Sequence, residues 1–568
     1  MSSIIGDPAS ATPAPATREP WPRWLAQSGR RRLWPPTLSW GWWLPAALAV
    51  LYALVVLSHL DDILHQIWEI SDSDAPGVFA QLYAAAPAGV HVTLGDHAYF
   101  EEVAFMLLTR FLPAHRALWY AIPVICDLVG LGVLTWSIRR AFGDWAAAVA
   151  AAMLVCLATS GLSIFFAPDA HANSVVHAVL LAAGAGWVLP RIHELSTVRL
   201  VAIGLALGLL SGLPLAGDDL FIGWGIAPLA IAAGLAAWRG PRADAPRTVA
   251  FGAGTVLLAF GMAAAFAGVM HAEGFHAFAP SERGLLTFAT PAGLARNLGT
   301  MLEAVPWIGG GDFYGNAVGR DSELALLSAA LLFGAALAVV VAVRRAVVAA
   351  GERPPHGGAA VTPRFIHIAF WSTCLAAGLL MFLIGSPGPG VEAARYLLGP
   401  FVAIIALLPV LPAQGLGWKL AVTAGTSLYA VAAIVRFVAL PIAIAGAAPS
   451  AGTAGALAQF AAREHVRTGY AYYWDSLDLT WSSEFHVEVF PVRNCAKSPP
   501  LLCANTEVAM SSWYAPRAHS RSMLVVDPAA PQVNALDPAF GPPIASATIG
   551  GLIVYVYDYD IASRLGHD

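Results

Sequence analysis

The chain has 568 residues, 58% of them hydrophobic and only 12% charged, with a formal net charge of -5. Soluble domains carry roughly twice that share of charge, and here the apolar residues come in runs of about 20, enough to cross a bilayer, so a soluble globular protein is excluded. The charges are sorted among loops and form no basic patch or recognisable module, which gives nucleic acid no support as a partner.

In chain order, residues 1–38 are rich in Pro, Ala, Ser and Thr and turn basic at Arg30-Arg31-Arg32, the composition of a disordered cytoplasmic tail. The first apolar run lacks a small-residue cleavage site and reads as an anchor, not a signal peptide. Eleven spans are predicted, near 41–60, 117–138, 145–165, 174–190, 199–215, 219–238, 248–270, 323–343, 365–385, 396–413 and 419–445. With the N-terminus inside, the tail holds five Arg and the loops on its side hold twelve more Lys and Arg, against six on the other side. That bias follows the positive-inside rule and, with an odd number of spans, predicts a C-terminal region outside the cytoplasm; the abundant Ala, Gly and Pro fit a bacterial source, and hence a bacterial plasma-membrane protein.

The long loops, 61–116 and 271–322, fall on that outer side. Within the first, 61–68 and 99–108 have helical apolar spacing but are too short to span, so they are expected flat at the interface. The whole of 39–445 is then one transmembrane domain. From 446 to 568 the chain changes character: a helix is predicted over 453–467 and strands over 485–490, 522–526 and 552–557, a small α/β domain. Cys495 and Cys503 lie close together there, and their pairing as a disulfide implies an oxidising compartment; no neighbouring Cys or His completes a zinc set at the usual spacing. Cys126, Cys156 and Cys374 sit in apolar spans as small hydrophobic residues. The predicted fold class is therefore mainly α: a polytopic membrane protein of about eleven transmembrane helices plus an extracytoplasmic α/β domain.

Polar groups beside a bilayer are costly and mark function. The first outer loop carries Asp72 and Asp74 in Ser71-Asp72-Ser73-Asp74, then His97 and Glu101. The second carries Asp169 and His171, and the third Asp218-Asp219, which reads as a solvated turn. The fourth carries Arg296, and the fifth Arg395-Tyr396 at the mouth of span ten. Converging carboxylates and histidines can take a proton from an acceptor hydroxyl or hold a divalent cation, Mg or Mn, on a phosphate. Arg395 can neutralise a phosphate leaving group by paired hydrogen bonds. Arg436, inside span eleven, either snorkels outward or pairs with an acid. The aromatic run Tyr470, Tyr472, Tyr473, Trp474 either builds the core of the small domain or stacks on a sugar. No phosphate-cradling loop, nucleophile elbow or His-Glu-x-x-His zinc motif is present.

Three features together resemble the GT-C superfamily of integral-membrane glycosyltransferases: the acidic first loop Asp72-Ser73-Asp74, the stretch Arg395-Tyr396-Leu397-Leu398-Gly399-Pro400 opening a late span, and about eleven spans followed by a soluble domain. Asp-Ser-Asp stands where an Asp-Glu pair is usual. The resemblance implies transfer of a sugar from a polyprenyl-phosphate donor to a cell-envelope glycan, lipid or protein. Asp72 or Asp74 would be the general base, Arg395 with Arg296 would stabilise the departing lipid phosphate, and His97 and His171 would orient the substrates; Glu101, Asp169 and Tyr396 join them as substrate-binding candidates. The metal requirement stays open. Competing readings are a transporter or flippase of a lipid-linked or small polar solute, and a non-catalytic envelope-binding scaffold.

Overall fold

The computed structural model describes residues 43–59, 63, 71–84, 86, 89–94, 116–157, 161–162, 171–277, 288–314, 318–351, 361–385, 391–439, 451–495, 502–505, 508–528 and 540–566. The expected tail and the expected interfacial helix at 99–108 lie outside these residues, as does 61–68 apart from Ile63.

Each of the eleven predicted spans overlies a helix: α1 (Trp43–Ser58), α3 (Arg116–Phe142), α4 (Asp144–Val155), α5 (Ala172–Val188), α6 (Thr197–Gly217), α7 (Ala227–Arg239, entered through a π turn at Ile222–Ile226), α8 (Ala245–Ala272), α10 (Arg320–Gly351), α11 (Pro363–Ile384), α12 (Leu398–Leu407, entered through a 3-10 turn at Val391–Leu397) and α13 (Leu416–Ala439). Among the described residues, eight helical segments are long and apolar enough to cross a membrane, while α1 and α4 are shorter apolar helices. The chain is a multi-pass membrane protein. Its outer helix faces carry large apolar side chains that water would penalise, among them Leu257, Leu337 and Val438. Where helices meet, small residues let backbones approach: Gly204, Gly208 and Gly212 form a ridge on α6 against Thr255, Leu258 and Met262 of α8.

Among the described residues, two helices lie between the spans. α2 (Ser71–Ala84) contains Ser71-Asp72-Ser73-Asp74, so the acidic pair is helical and not in an open loop. α9 (Pro291–Ile308) is amphipathic. Thr290 caps it by accepting from the Gly293 amide, Pro291 fits its first turn, and Leu294, Leu298 and Leu302 form an exposed stripe at i, i+4, i+8.

The C-terminal domain begins with α14 (Ala451–Arg463), close to the predicted helix, and holds a six-stranded sheet in the order β5 (Leu502–Ala504), β4 (Glu488–Asn494), β3 (Thr468–Tyr472), β7 (Ser522–Val526), β9 (Leu552–Tyr557), β8 (Ala545–Ile549). The central β3 runs parallel to β4 and β7. β5, β9 and β8 are antiparallel to their neighbours, and α15 (Tyr473–Ser482) connects β3 to β4. The strand predicted at 485–490 starts three residues later. Glu484 and Phe485 have φ of 52° and 61°, a left-handed turn that closes α15 and cannot continue as a strand. Cys495 and Cys503 form a disulfide.

A second, three-stranded sheet ties the parts together. β1 (Val92–Leu94), following α2, pairs with β2 (Phe275–Ala277), just beyond α8, and with β6 (Ala509–Met510) of the C-terminal domain. α2 itself packs along α15, with Gly77 against the Trp481 indole. Phe79 stacks on Trp513 at 5.2 Å and Trp513 on Phe490 at 5.1 Å.

Candidate functional site

Successive spans alternate in direction, so the starts of α5, of the π turn and of the Val391–Leu397 turn share one end of the bundle with the finish of α6, α8 and α13. The C-terminal domain is joined to this end through α13 and through β2. Polar residues from three separate connections meet here.

His171 precedes α5 and Asp218 ends α6; both are almost wholly buried, at 5% and 6% exposure. Asp218 Oδ2 accepts from His171 Nδ1 at 2.9 Å, and Oδ1 accepts from the Leu220 amide at 3.0 Å. Burial alone would push the Asp218 carboxyl up. Coulombic attraction to His171 and hydrogen bonds from His171, Ser174 and the Leu220 amide outweigh it and hold the group below the usual carboxylate range. The expectation of a solvated Asp218-Asp219 turn is therefore corrected for Asp218, because its partner lies 47 residues away on another span; Asp219 is exposed.

The His171 ring faces Tyr396 at 5.2 Å between centroids and meets the Trp224 indole edge-on at 6.0 Å. Arg395 lies over the Tyr396 ring at 5.2 Å, and its Nη2 donates to the Tyr396 hydroxyl at 3.3 Å. Trp224, fully buried on the π turn, is gripped by two glycines. A Cβ on Gly399 would lie 2.6 Å from its Cγ, and one on Gly378 would lie 3.1 Å from its Nε1. This explains the Gly after Arg395-Tyr396-Leu397-Leu398: the backbone of α12 needs that close approach, which holds the Arg395-Tyr396 pair beside His171. Arg395, Tyr396, His171 and Asp218 thus form a cation–aromatic–imidazole–carboxylate series at the bundle end.

The remaining expected residues fall elsewhere. Asp74 is fully buried, on the helix that packs against α15. Asp72 shares that helix, and two residues along an α-helix put the two positions about 200° apart round its axis. His97, Glu101 and Asp169 lie outside the described residues. Arg296 is exposed on α9, although that helix packs against the Val391–Leu397 turn. Its neighbour Asn297 is buried and donates to the Phe382, Leu383 and Gly385 carbonyls at the end of α11, which fastens α9 to the bundle. Arg436, left open between two roles, pairs with acids: its Nη1 donates to Asp312 and to the Gly310 carbonyl, and its Nε donates to Asp321, the two carboxylate contacts being 2.6 Å each. The aromatic run divides: Tyr470 is buried with its hydroxyl on Asp560 at 2.8 Å, whereas Trp474 is 41% exposed.

Among the described residues, no group of three or more His, Cys, Asp or Glu is placed to hold a metal ion. His91, His276 and His271 come near it, but His276 turns Nε2 to His91 at 3.3 Å and Nδ1 to His271 at 3.2 Å. The nitrogens form a line and do not converge on a point.

Sequence reasoning missed Asp127. It lies within α3 at 2% exposure, and neither carboxyl oxygen has a hydrogen-bond partner among the described residues. A lone acid inside an apolar span was the available signal. Trp224 was missed as well, since a buried Trp in a span is not informative by itself.

No family model matches the sequence, and no curated protein matches it. The structure is similar to solved structures of ArnT from Cupriavidus metallidurans, in the apo state and bound to undecaprenyl phosphate. In each case the identity is 14% and the TM-score 0.42, over 91% of this chain and 99% of that one. It is also similar to the apo oligosaccharyltransferase of Archaeoglobus fulgidus, at 13% identity and a TM-score of 0.44, over 78% of this chain and 64% of that one.

Proposed function

We propose that this protein is a membrane glycosyltransferase that takes a sugar from a polyprenyl-phosphate donor and passes it to a cell-envelope acceptor outside the cytoplasm. The observation that carries this reading is the buried His171–Asp218 pair set against Tyr396 and Arg395 at one end of an apolar bundle. Such a site suits a substrate that is part lipid and part phosphosugar. The prenyl tail lies between spans, the phosphate meets the Arg395 guanidinium, and the aromatic and imidazole rings border the sugar.

In the proposed reaction a carboxylate takes the proton of the acceptor hydroxyl as its oxygen attacks the anomeric carbon. The bond from that carbon to the phosphate oxygen breaks with inversion, and polyprenyl phosphate leaves with its charge held by Arg395. We assign the base to Asp72, because the full burial of Asp74 suits it to anchoring α2. Asp218 acts through His171 as a positioning residue, fixing which ring nitrogen carries the proton.

The test is native mass spectrometry and turnover on purified protein supplied with polyprenyl-phosphate sugars. A retained glycolipid, lost in Arg395→Ala and accumulating in Asp72→Asn with turnover down at least about a hundredfold, is the expected result. Full turnover in both variants would remove the reading. Asp127 favours a second reading, a proton-coupled transporter, since carboxyls inside a span serve proton relays. That reading expects solute flux into liposomes abolished by Asp127→Asn, with no glycosyl product at all.

A further inference from the structure

We propose that the C-terminal domain carries a second binding site, for a phosphate- or carboxylate-bearing ligand, in the cavity at the starting ends of its three parallel strands. The cavity measures about 580 Å³ and is lined by His465, Arg467, Thr468, Glu488, Arg517, His519, Ser520 and Arg521. All eight belong to the C-terminal domain, so it is separate from the His171 site. It also lies at the opposite end of the sheet from Thr453 and the Gly550 turn, which touch each other where the chain enters the domain.

The lining places three guanidinium groups against one carboxylate. Each guanidinium has five N–H donors and is anchored by few of them. Arg467 Nη2 donates to Glu488 Oε1 at 3.0 Å, and Arg521 Nη1 donates to the Glu464 carbonyl at 2.9 Å. Arg517 is fixed through its backbone amide on Asp560 Oδ2 at 2.8 Å, with its guanidinium 5.4 Å above the Phe490 ring and 3.9 Å from the Asp560 carboxylate. Each fork keeps N–H donors beyond these bonds, the chemistry that recognises planar or tetrahedral oxyanions. Glu488 and Asp560 remove part of the positive charge, which moderates the affinity for an anion.

Backbone geometry points the same way. His465 and His519 both have left-handed backbones, with φ of 56° and 60°, a conformation that is unfavourable for a non-glycine residue. At His465 the turn closes α14 through bonds from the amides of 465 and 466 to the carbonyls of Ala462 and Ala461, a position where glycine is usual. Two imidazoles are thus kept at the cavity rim where glycine would be the stable choice. Such local strain is characteristic of binding positions. The cavity is open and polar, so binding is modest and salt-sensitive.

The experiment is isothermal titration calorimetry on the full chain in nanodiscs of zwitterionic lipid, at about 50 and 300 mM salt, with inorganic tripolyphosphate and with trigalacturonate as probes. One-to-one binding of either probe, weakened at least tenfold by Arg467→Gln/Arg521→Gln and by high salt, bears the proposal out, and the tighter probe names the group recognised. His519→Gly, which also relieves its backbone, is expected to weaken binding about threefold without lowering the melting temperature. Binding of neither probe, or equal binding by the double variant, overturns it. The readout does not involve glycosyl transfer, so it stands or falls apart from the proposed reaction.

Discussion

Gly399→Ala places a methyl group where the structure has no room. Its Cβ would lie 2.6–2.7 Å from three ring atoms at the base of the Trp224 indole, against contact distances of about 3.5–4.0 Å between carbons. The ring must therefore move by about 1 Å, and it is fully buried with Gly378 close on its Nε1 side. Overpacking of this kind costs about 1–3 kcal/mol. Because Trp224 meets His171 edge-on, the displacement also disturbs the His171–Asp218 pair. Trp224→Phe shortens the ring system and makes space, so the double variant should be less destabilised than the sum of the single ones, by at least about 1 kcal/mol of coupling. Thermal melts of the detergent-solubilised protein, followed by helical circular dichroism, measure all four corners of the cycle. A Gly399→Ala protein that melts with the wild type, or costs that simply add, would show that the two residues do not share the space assigned to them.

Asp475 is pushed up to about 6 by burial and then by the neighbouring Asp527 carboxylate. A carboxyl raised in the folded state contributes fully below its unfolded value and is a liability once pH passes the folded value. Asp475→Asn should therefore raise the melting temperature at pH 7.5 and leave it unchanged at pH 3.5; the shift corresponds to roughly 3 kcal/mol, reduced to about 1–2 kcal/mol by partial exposure. An effect of equal size at both pH values would refute the assignment. Asp127→Leu should stabilise by about 1–3 kcal/mol, since it removes a buried carboxyl without a partner; loss of function together with a higher melting temperature would mark the acid as retained for activity, and a lower melting temperature would reveal a structural role. Arg436→Met should cost about 1–3 kcal/mol, below the usual figure for a broken buried pair because Asp312 and Asp321 are 29% and 35% exposed. Adding Asp312→Asn and Asp321→Asn should recover most of that loss, and failure to recover would show that the arginine acts through packing alone.

The spans were legible because a bilayer demands about 20 apolar residues for each crossing, and eleven helices overlie the expected runs. β7 and β9 were equally plain from their Val, Ile and Tyr content. β4 was displaced because nothing in Glu484-Phe485 announces a left-handed backbone. The site was legible only in parts. Arg395-Tyr396 and His171 could be named from position beside a span, but their partner could not. Asp218 reads as a surface turn until α5 and α6 are packed together, since burial of a carboxylate is decided by a residue far away in sequence. Asp72 and Asp74 were alternative candidates for one base in an open loop, and the sequence did not announce that both lie on a helix that buries Asp74.

The small sheet formed by β1, β2 and β6 has a bearing on how the protein is made. Its strands come from between α2 and α3, from just after α8, and from the C-terminal domain: Val92 aligns with Phe275 on one side and Met510 on the other. A sheet with such distant members forms slowly, because the closure entropy comes before the pairing. During synthesis every span can enter the bilayer while the edge of β1 still awaits residues that have not left the ribosome. A chain ending before residue 509 would insert normally yet keep a bare strand edge, a template for aggregation at the membrane surface.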